Sequence, residues 1–463
     1  MWKTIIPLLV GAIIWMLPHT AAIKPDAWQL LAIFTATIIA FITRPLPIGA
    51  VAVAGIIIAV LTKSMNMADA LSGYANASVW LIVAAVFFSR GIIESGLGRR
   101  IAYHLIRRFG SSSLSLAYAI TMTDLVLSPA TVSNTARGGG IVYPIVQNLC
   151  YVFDSRPGET ARRIGAFLIT IAHVANTTTV TVFLTACSGN LLITSLGKEL
   201  LGYDVTWWQW FVAGSVPGAA CLIFLPWLIY KVYPPELKET PEAPILAAKE
   251  LEAMGPITKY EKQMAFVFLL CILLWSTTEW TGINPTIIAF IGVFCALVFK
   301  TVTWDQILQE KMGWDILIWM GTIVGMAGVI AKKGVVKVFA TYMGTLLGDL
   351  DWLTASFFIS FIFVYSQYFF ASGTARITAL FTGLASIMVG LGAPPFYTIM
   401  MFGLMNSPGC TLTHYSSGVT PIFFGAGYVP QTTWWRVGLI VSIASYILHY
   451  GLGTLWMISI NML

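Results

Sequence analysis

Polar chemistry concentrates at two places inside the apolar sequence of this chain. These are Ser133-Asn134-Thr135-Ala136-Arg137 and Ser372-Gly373-Thr374-Ala375-Arg376. Ser, Thr and Asn offer hydrogen-bond donors without a fixed charge, whereas the Arg guanidinium stays charged under all ordinary conditions. The two runs lie 239 positions apart (372 − 133), and a Trp precedes each by 53 positions, at Trp80 and Trp319. With 17 Trp in the chain, the Trp match alone has little weight; agreement at all but one position of a five-residue motif has much more. A single Ser-Asn-Thr reads most simply as side chains bonding their own helical turn. Duplication, with helix breakers flanking both copies, points instead to the binding site of a membrane transporter with internal repeats.

The elements that must hold these motifs are membrane helices. Of 463 residues, 57% are hydrophobic and only 10% charged, too few to solvate a globular surface. Apolar runs of about 20 residues, the thickness of a bilayer in helix, recur along the whole length. The fold class expected is an all-α polytopic membrane protein with about 11 transmembrane helices plus two re-entrant hairpins. Residues 1–46 read as N-terminal membrane helices, and Met1-Trp2-Lys3 leads into a first span rather than a cleavable signal. Residues 47–230 read as repeat 1, with a hairpin at about 111–150 and a broken helix at about 164–203. A cytoplasmic polar loop, 231–262, separates it from repeat 2 at 263–430, which has a hairpin at about 352–392 and a broken helix at about 395–427. Residues 431–463 form a C-terminal helix. Arg99, Arg100, Arg107 and Arg108, with the lysines of the polar loop, put those segments and the N-terminus inside. The second hairpin then enters from the opposite face, so the repeats are inverted.

Four broken elements bring helix N-termini and free backbone N–H groups toward one midplane point, and such ends attract carboxylates. Two related tips suit a ligand with two acidic ends. Arg137, Arg376 and His414 lie in the same apolar zone, where ionisable groups are functional or paired. Asp124 pairs with a cation or marks a proton path, and His173 and His449 read as packing residues. The six cysteines, Cys150, Cys187, Cys221, Cys271, Cys295 and Cys410, form no metal-type spacing, so neither a metal site nor a cofactor is expected. Gly138-Gly139-Gly140 lacks the Lys of a P-loop, and the motifs of zinc proteases and Ser hydrolases are absent, which disfavours an intramembrane enzyme. The net charge of +6 is loop-bound and is no nucleic-acid signature.

Ser133-Asn134-Thr135 and the degenerate Ser372-Gly373-Thr374 are similar to the paired Ser-Asn-Thr signatures of the divalent anion/sodium symporter family. Gly425-Ala426-Gly427-Tyr428-Val429 resembles that family's end of the second broken helix. The stretch Ser133 to Ile141, with Thr413-His414-Tyr415, looks like the branch of 2-oxoglutarate/malate translocators and citrate/succinate-type antiporters. The resemblance implies a homodimer among membrane lipids, in which a transport domain moves elevator-fashion. It implies di- or tricarboxylate substrates held by Ser133, Asn134, Thr135, Ser372, Gly373 and Thr374. Cys187, Ser188, Ser416 and Ser417 would complete the site from the helix breaks. Sodium-coupled members use the Asn of each signature in one sodium site per repeat, and here the second Asn is Gly373. Arg137 and His414, with Arg376 as a further candidate, would then be fixed cations replacing sodium. The reading is sodium-independent antiport of dicarboxylates in a bacterial cytoplasmic membrane; the alternatives are sodium-coupled symport and, more remotely, an intramembrane enzyme.

Overall fold

A computed structural model describes residues 2–18, 22–346, 350–370 and 372–462. In lipid, backbone polar groups must find partners within their own segment, so a chain this apolar crosses as helix. Among the described residues there is no β-strand, only an isolated bridge between Ser112 and Glu239. Among the described residues, seven helices are long and apolar enough to cross a bilayer: Pro25–Thr43, Ala77–Ser95, Trp207–Val232, Lys311–Lys332, Trp352–Phe369, Gly373–Gly390 and Gln431–Ser459. Shorter apolar helices, Trp2–Met16, Ile48–Leu61 and Pro285–Val298, add to them. The protein is a multi-pass integral membrane protein.

Two helix–break–helix elements carry the duplicated motifs. The first begins as Ser113–Leu127, turns through Ser128–Ala130, and resumes as helix from Asn134 to Val152 by way of a wide turn at Gly138–Val142. The second begins as Trp352–Tyr365, turns through Ser366–Phe369, and resumes as Gly373–Gly390. Their leading helices start after the caps Ser112 and Asp351, which are 239 apart (351 − 112), the offset of the motifs themselves. The freed backbone at the first break is satisfied by side chains. The Val132 N–H donates to Ser89 Oγ at 3.2 Å, and Thr185 Oγ1 donates to the Pro129 carbonyl at 2.7 Å. At the second break Gln367 Nε2 donates to the Phe370 carbonyl at 2.8 Å, and the Tyr415 hydroxyl to the Tyr368 carbonyl at 2.9 Å.

Two further helices are interrupted. Gly165–Thr179 stops and helix resumes at Ser188–Leu201, with Asn190 Nδ2 donating back to the Val180 carbonyl at 2.7 Å across the gap. Pro395–Leu404 continues through Asn406–Cys410, and helix returns only at Thr420–Gly425. Among the described residues, buried apolar side chains fall into two large clusters and a small one of Val180, Ala186 and Cys187; Val132 belongs to one large cluster and Ile141 to the other, so the first tip bridges them.

Residues 231–262, expected as a polar loop, instead contain the helix Glu242–Met254. Ala243, Ala247 and Leu251, spaced four apart, form its buried stripe against the basic helix Leu97–Phe109. Arg100 ties the pair down: its Nε lies 2.6 Å from Glu261 Oε1, and one NH group donates to the Gly255 carbonyl at 2.9 Å.

Candidate functional site

Three helix N-termini are capped by residues of the expected site. Ser133 Oγ accepts from the Ala136 N–H at 3.0 Å and Ser372 Oγ from the Ala375 N–H at 3.1 Å. Cys187 Sγ accepts from the Gly189 N–H at 3.3 Å, at the start of Ser188–Leu201. Each cap satisfies one orphan donor and leaves others of its first turn, with the positive end of the helix dipole, for an anion.

Close approaches join these ends. Cys187 Sγ is 4.0 Å from Asn134 Oδ1. A Cβ added at Gly418 would lie 2.6 Å from Thr135 Oγ1, so the second helix break presses against the first tip. At Gly373 a Cβ would lie 3.0 Å from Cys410 Sγ and 3.2 Å from Asn406 Oδ1. At Gly189 it would lie 3.3 Å from Asn406 Nδ2 and 3.5 Å from Cys187 Sγ. Asn406 thus stands between the second tip and the first helix break, with a thiol on either side.

The two arginines differ in their electrostatics. Arg137 is fully buried and its Nε donates to Asp124 Oδ2 at 3.0 Å, an ion pair with no exposure on either side. Its remaining donors reach the carbonyls of Thr131 (2.9 Å) and Ala186 (3.1 Å) and Thr179 Oγ1 (3.1 Å). Asn176 Nδ2 completes the knot, donating to Asp124 Oδ1 at 2.9 Å and to the Asn134 carbonyl at 3.1 Å. The free charge expected at Arg137 does not fit this pairing, because Asp124 neutralises it. Arg376 is equally buried, yet among the described residues no carboxylate pairs with it. It donates to the carbonyls of Phe363 (3.3 Å) and Val364 (3.2 Å) and to Asn406 Oδ1 (2.9 Å), and lies 4.3 Å from the Phe363 ring centroid. Those carbonyls end the helix Trp352–Tyr365, whose dipole supplies about half a negative charge against a whole positive one.

At His414, the Trp435 indole N–H, which can only donate, points at Nδ1 at 3.1 Å. The ring is packed among Tyr415, Phe424 and Trp435. Ser416 Oγ turns back to the carbonyls of Cys410 (2.5 Å) and Thr413 (2.9 Å), and Ser417 Oγ bonds Thr420 Oγ1 at 2.7 Å. Both hydroxyls are spent on their own break, and it is the Ser416 carbonyl that faces Gly373. Ser188 and Thr374 occupy the first turns of their helices, half-buried.

The family described as "Sodium:sulfate symporter transmembrane region" matches residues 1–463. The chain belongs to this family. It is therefore a transporter and not an enzyme. As a family member it is 42% identical over 457 residues to YflS of Bacillus subtilis, covering 98% of this chain and 96% of that protein. It is 40% identical over 452 residues to dicarboxylate transporter 1 of the Spinacia oleracea chloroplast, covering 97% and 79%. Among solved structures, the YdaH transporter of Alcanivorax borkumensis shares the fold, with a TM-score of 0.64 at 13% identity over 98% of this chain and 97% of that one.

Asn176, Asn406 and Phe363 were not singled out by sequence. A signal existed for the two asparagines: they lie 230 apart (406 − 176), each on an interrupted helix behind a tip. Phe363 also had a signal: it lies 239 positions after Asp124 (363 − 124), the offset of the motifs.

Proposed function

We propose that this protein exchanges di- or tricarboxylates across a bacterial cytoplasmic membrane, independently of sodium, with its N-terminus inside. The observation that carries the reading is Arg376, buried without a carboxylate partner among the described residues, below a helix N-terminus capped by Ser372. Three helix N-termini of about +0.5 each, one guanidinium and the facing helix C-terminus of about −0.5 give roughly +2 elementary charges around the site. A dicarboxylate brings that to about zero, so the loaded site crosses more easily than the empty one, which is the requirement for exchange. The spinach relative's name as a dicarboxylate transporter supports the substrate class. In this reading Ser133, Asn134 and Thr135 hold one carboxylate and Ser372 and Thr374 the other. The halves are inverted repeats of an elevator, and the functional unit is a homodimer.

A second reading, sodium-coupled symport, is favoured by the first tip alone, where Asn134 is kept and Arg137 is neutralised by Asp124. Counterflow into proteoliposomes separates the two. The exchanger takes up labelled dicarboxylate only against an internal one, equally in sodium, potassium or choline. Uptake into empty vesicles driven by a sodium gradient overturns exchange in favour of symport.

A further inference from the structure

The two tips share a frame that extends beyond the motif. Asp124 precedes Arg137 by 13 residues (137 − 124), and Phe363 precedes Arg376 by the same 13 (376 − 363). Both lie near the end of a leading helix that starts in register, after Ser112 and Asp351. Each partners its arginine, but differently: Asp124 by its carboxylate at 3.0 Å, and Phe363 by its carbonyl at 3.3 Å and its ring. The amides behind the tips reverse roles to match. Asn176 donates its Nδ2 to Asp124, whereas Asn406 offers its Oδ1 to Arg376 at 2.9 Å. With no carboxylate at Arg376 among the described residues, the amide oxygen is the acceptor that the guanidinium meets.

We infer that Phe363 is the residue that sets the charge of the site: an apolar ring where the first half has a carboxylate keeps Arg376 uncompensated and so makes the pocket selective for multivalent anions. The ring does so without touching the ligand, through a guanidinium that it stacks on and does not neutralise. A buried guanidinium is costly without a partner, and stacking on an aromatic face returns part of that cost while leaving the charge intact. This inference rests on the reading of Arg376 as a fixed cation, but it concerns a different residue and a different measurement.

The test compares Phe363→Asp with Phe363→Asn in the full-length protein. The two lose the same ring and differ only in charge. Succinate is the probe, titrated in exchange assays and in thermal-shift measurements on the same detergent-purified samples. An Asp that pairs with Arg376 makes F363D the more heat-stable of the two and weakens its apparent succinate affinity at least about ten-fold relative to F363N. Equal affinities overturn the inference, as does an F363D that fails to fold where F363N folds. If neither folds, Asp124→Asn decides: it unmasks Arg137, and tighter succinate binding than wild type supports the charge argument while unchanged or weaker binding overturns it. The sodium dependence of wild-type counterflow is unaffected by any of these outcomes, so failure here leaves the exchange reading to its own test.

Discussion

The tips of the two halves are built from nearly the same five residues, yet one is electrically closed and the other open. Behind Ser133, the Asp124 carboxylate, two hydroxyls and the carbonyls of Thr131 and Ala186 accept from Arg137, and Asn176 in turn donates to Asp124. Behind Ser372, Arg376 is held by carbonyls, one amide oxygen and an aromatic face, and its Nε has no partner among the described residues. The same motif thus sits beside a carboxylate 13 positions upstream in one half and beside a Phe in the other, and we propose that this difference sets the charge of each tip. Arg137 is tied to the first tip through Asp124 and Asn176, and the proposed source of field is Arg376.

The difference can be broken experimentally, beginning with the clamp. Arg137→Met leaves Asp124 as a buried, unpaired carboxylate and is expected to cost about 3–5 kcal/mol of stability. Arg376→Met orphans no carboxylate and should be tolerated far better in thermal unfolding in the same detergent; a larger loss for R376M than for R137M would reverse the assignment. Next, Asn406→Ala removes a hydrogen bond to a charged group that also sits between Gly373 and Gly189. A loss of about 1.5–3 kcal/mol corresponds to a roughly ten- to hundred-fold weaker apparent affinity in exchange assays. Wild-type affinity in N406A would remove Asn406 from the site. The smallest effect belongs to Ser416→Ala, whose hydroxyl bonds only its own break: about 1 kcal/mol of stability with unchanged substrate preference. A shift in preference among succinate, malate and citrate would show instead that the hydroxyl reaches substrate.

Much was legible in sequence because membrane helices and helix breakers are local signals. The apolar runs, scarce charges and duplicated motif lead to a polytopic transporter of the divalent anion type, and the family match agrees. Charge pairing is not local. Nothing in Ser133-Asn134-Thr135-Ala136-Arg137 states that Asp124 folds back onto it across a helix break, or that among the described residues no carboxylate meets Arg376. The surroundings of His414 are no more local, since Trp435, 21 residues away in sequence, donates to its ring. Residues 231–262 were misread because their charges masked the four-residue spacing of Ala243, Ala247 and Leu251.

The central claim is that the uncompensated charge of Arg376 keeps the empty carrier from crossing. It is tested most directly by the trans-dependence of succinate uptake in proteoliposomes carrying wild type or Arg376→Gln. Wild type is expected to require internal dicarboxylate, with or without sodium, while R376Q binds succinate more weakly and takes it up into vesicles holding no dicarboxylate. If R376Q keeps both wild-type affinity and a strict requirement for internal dicarboxylate, the charge at Arg376 does not govern exchange.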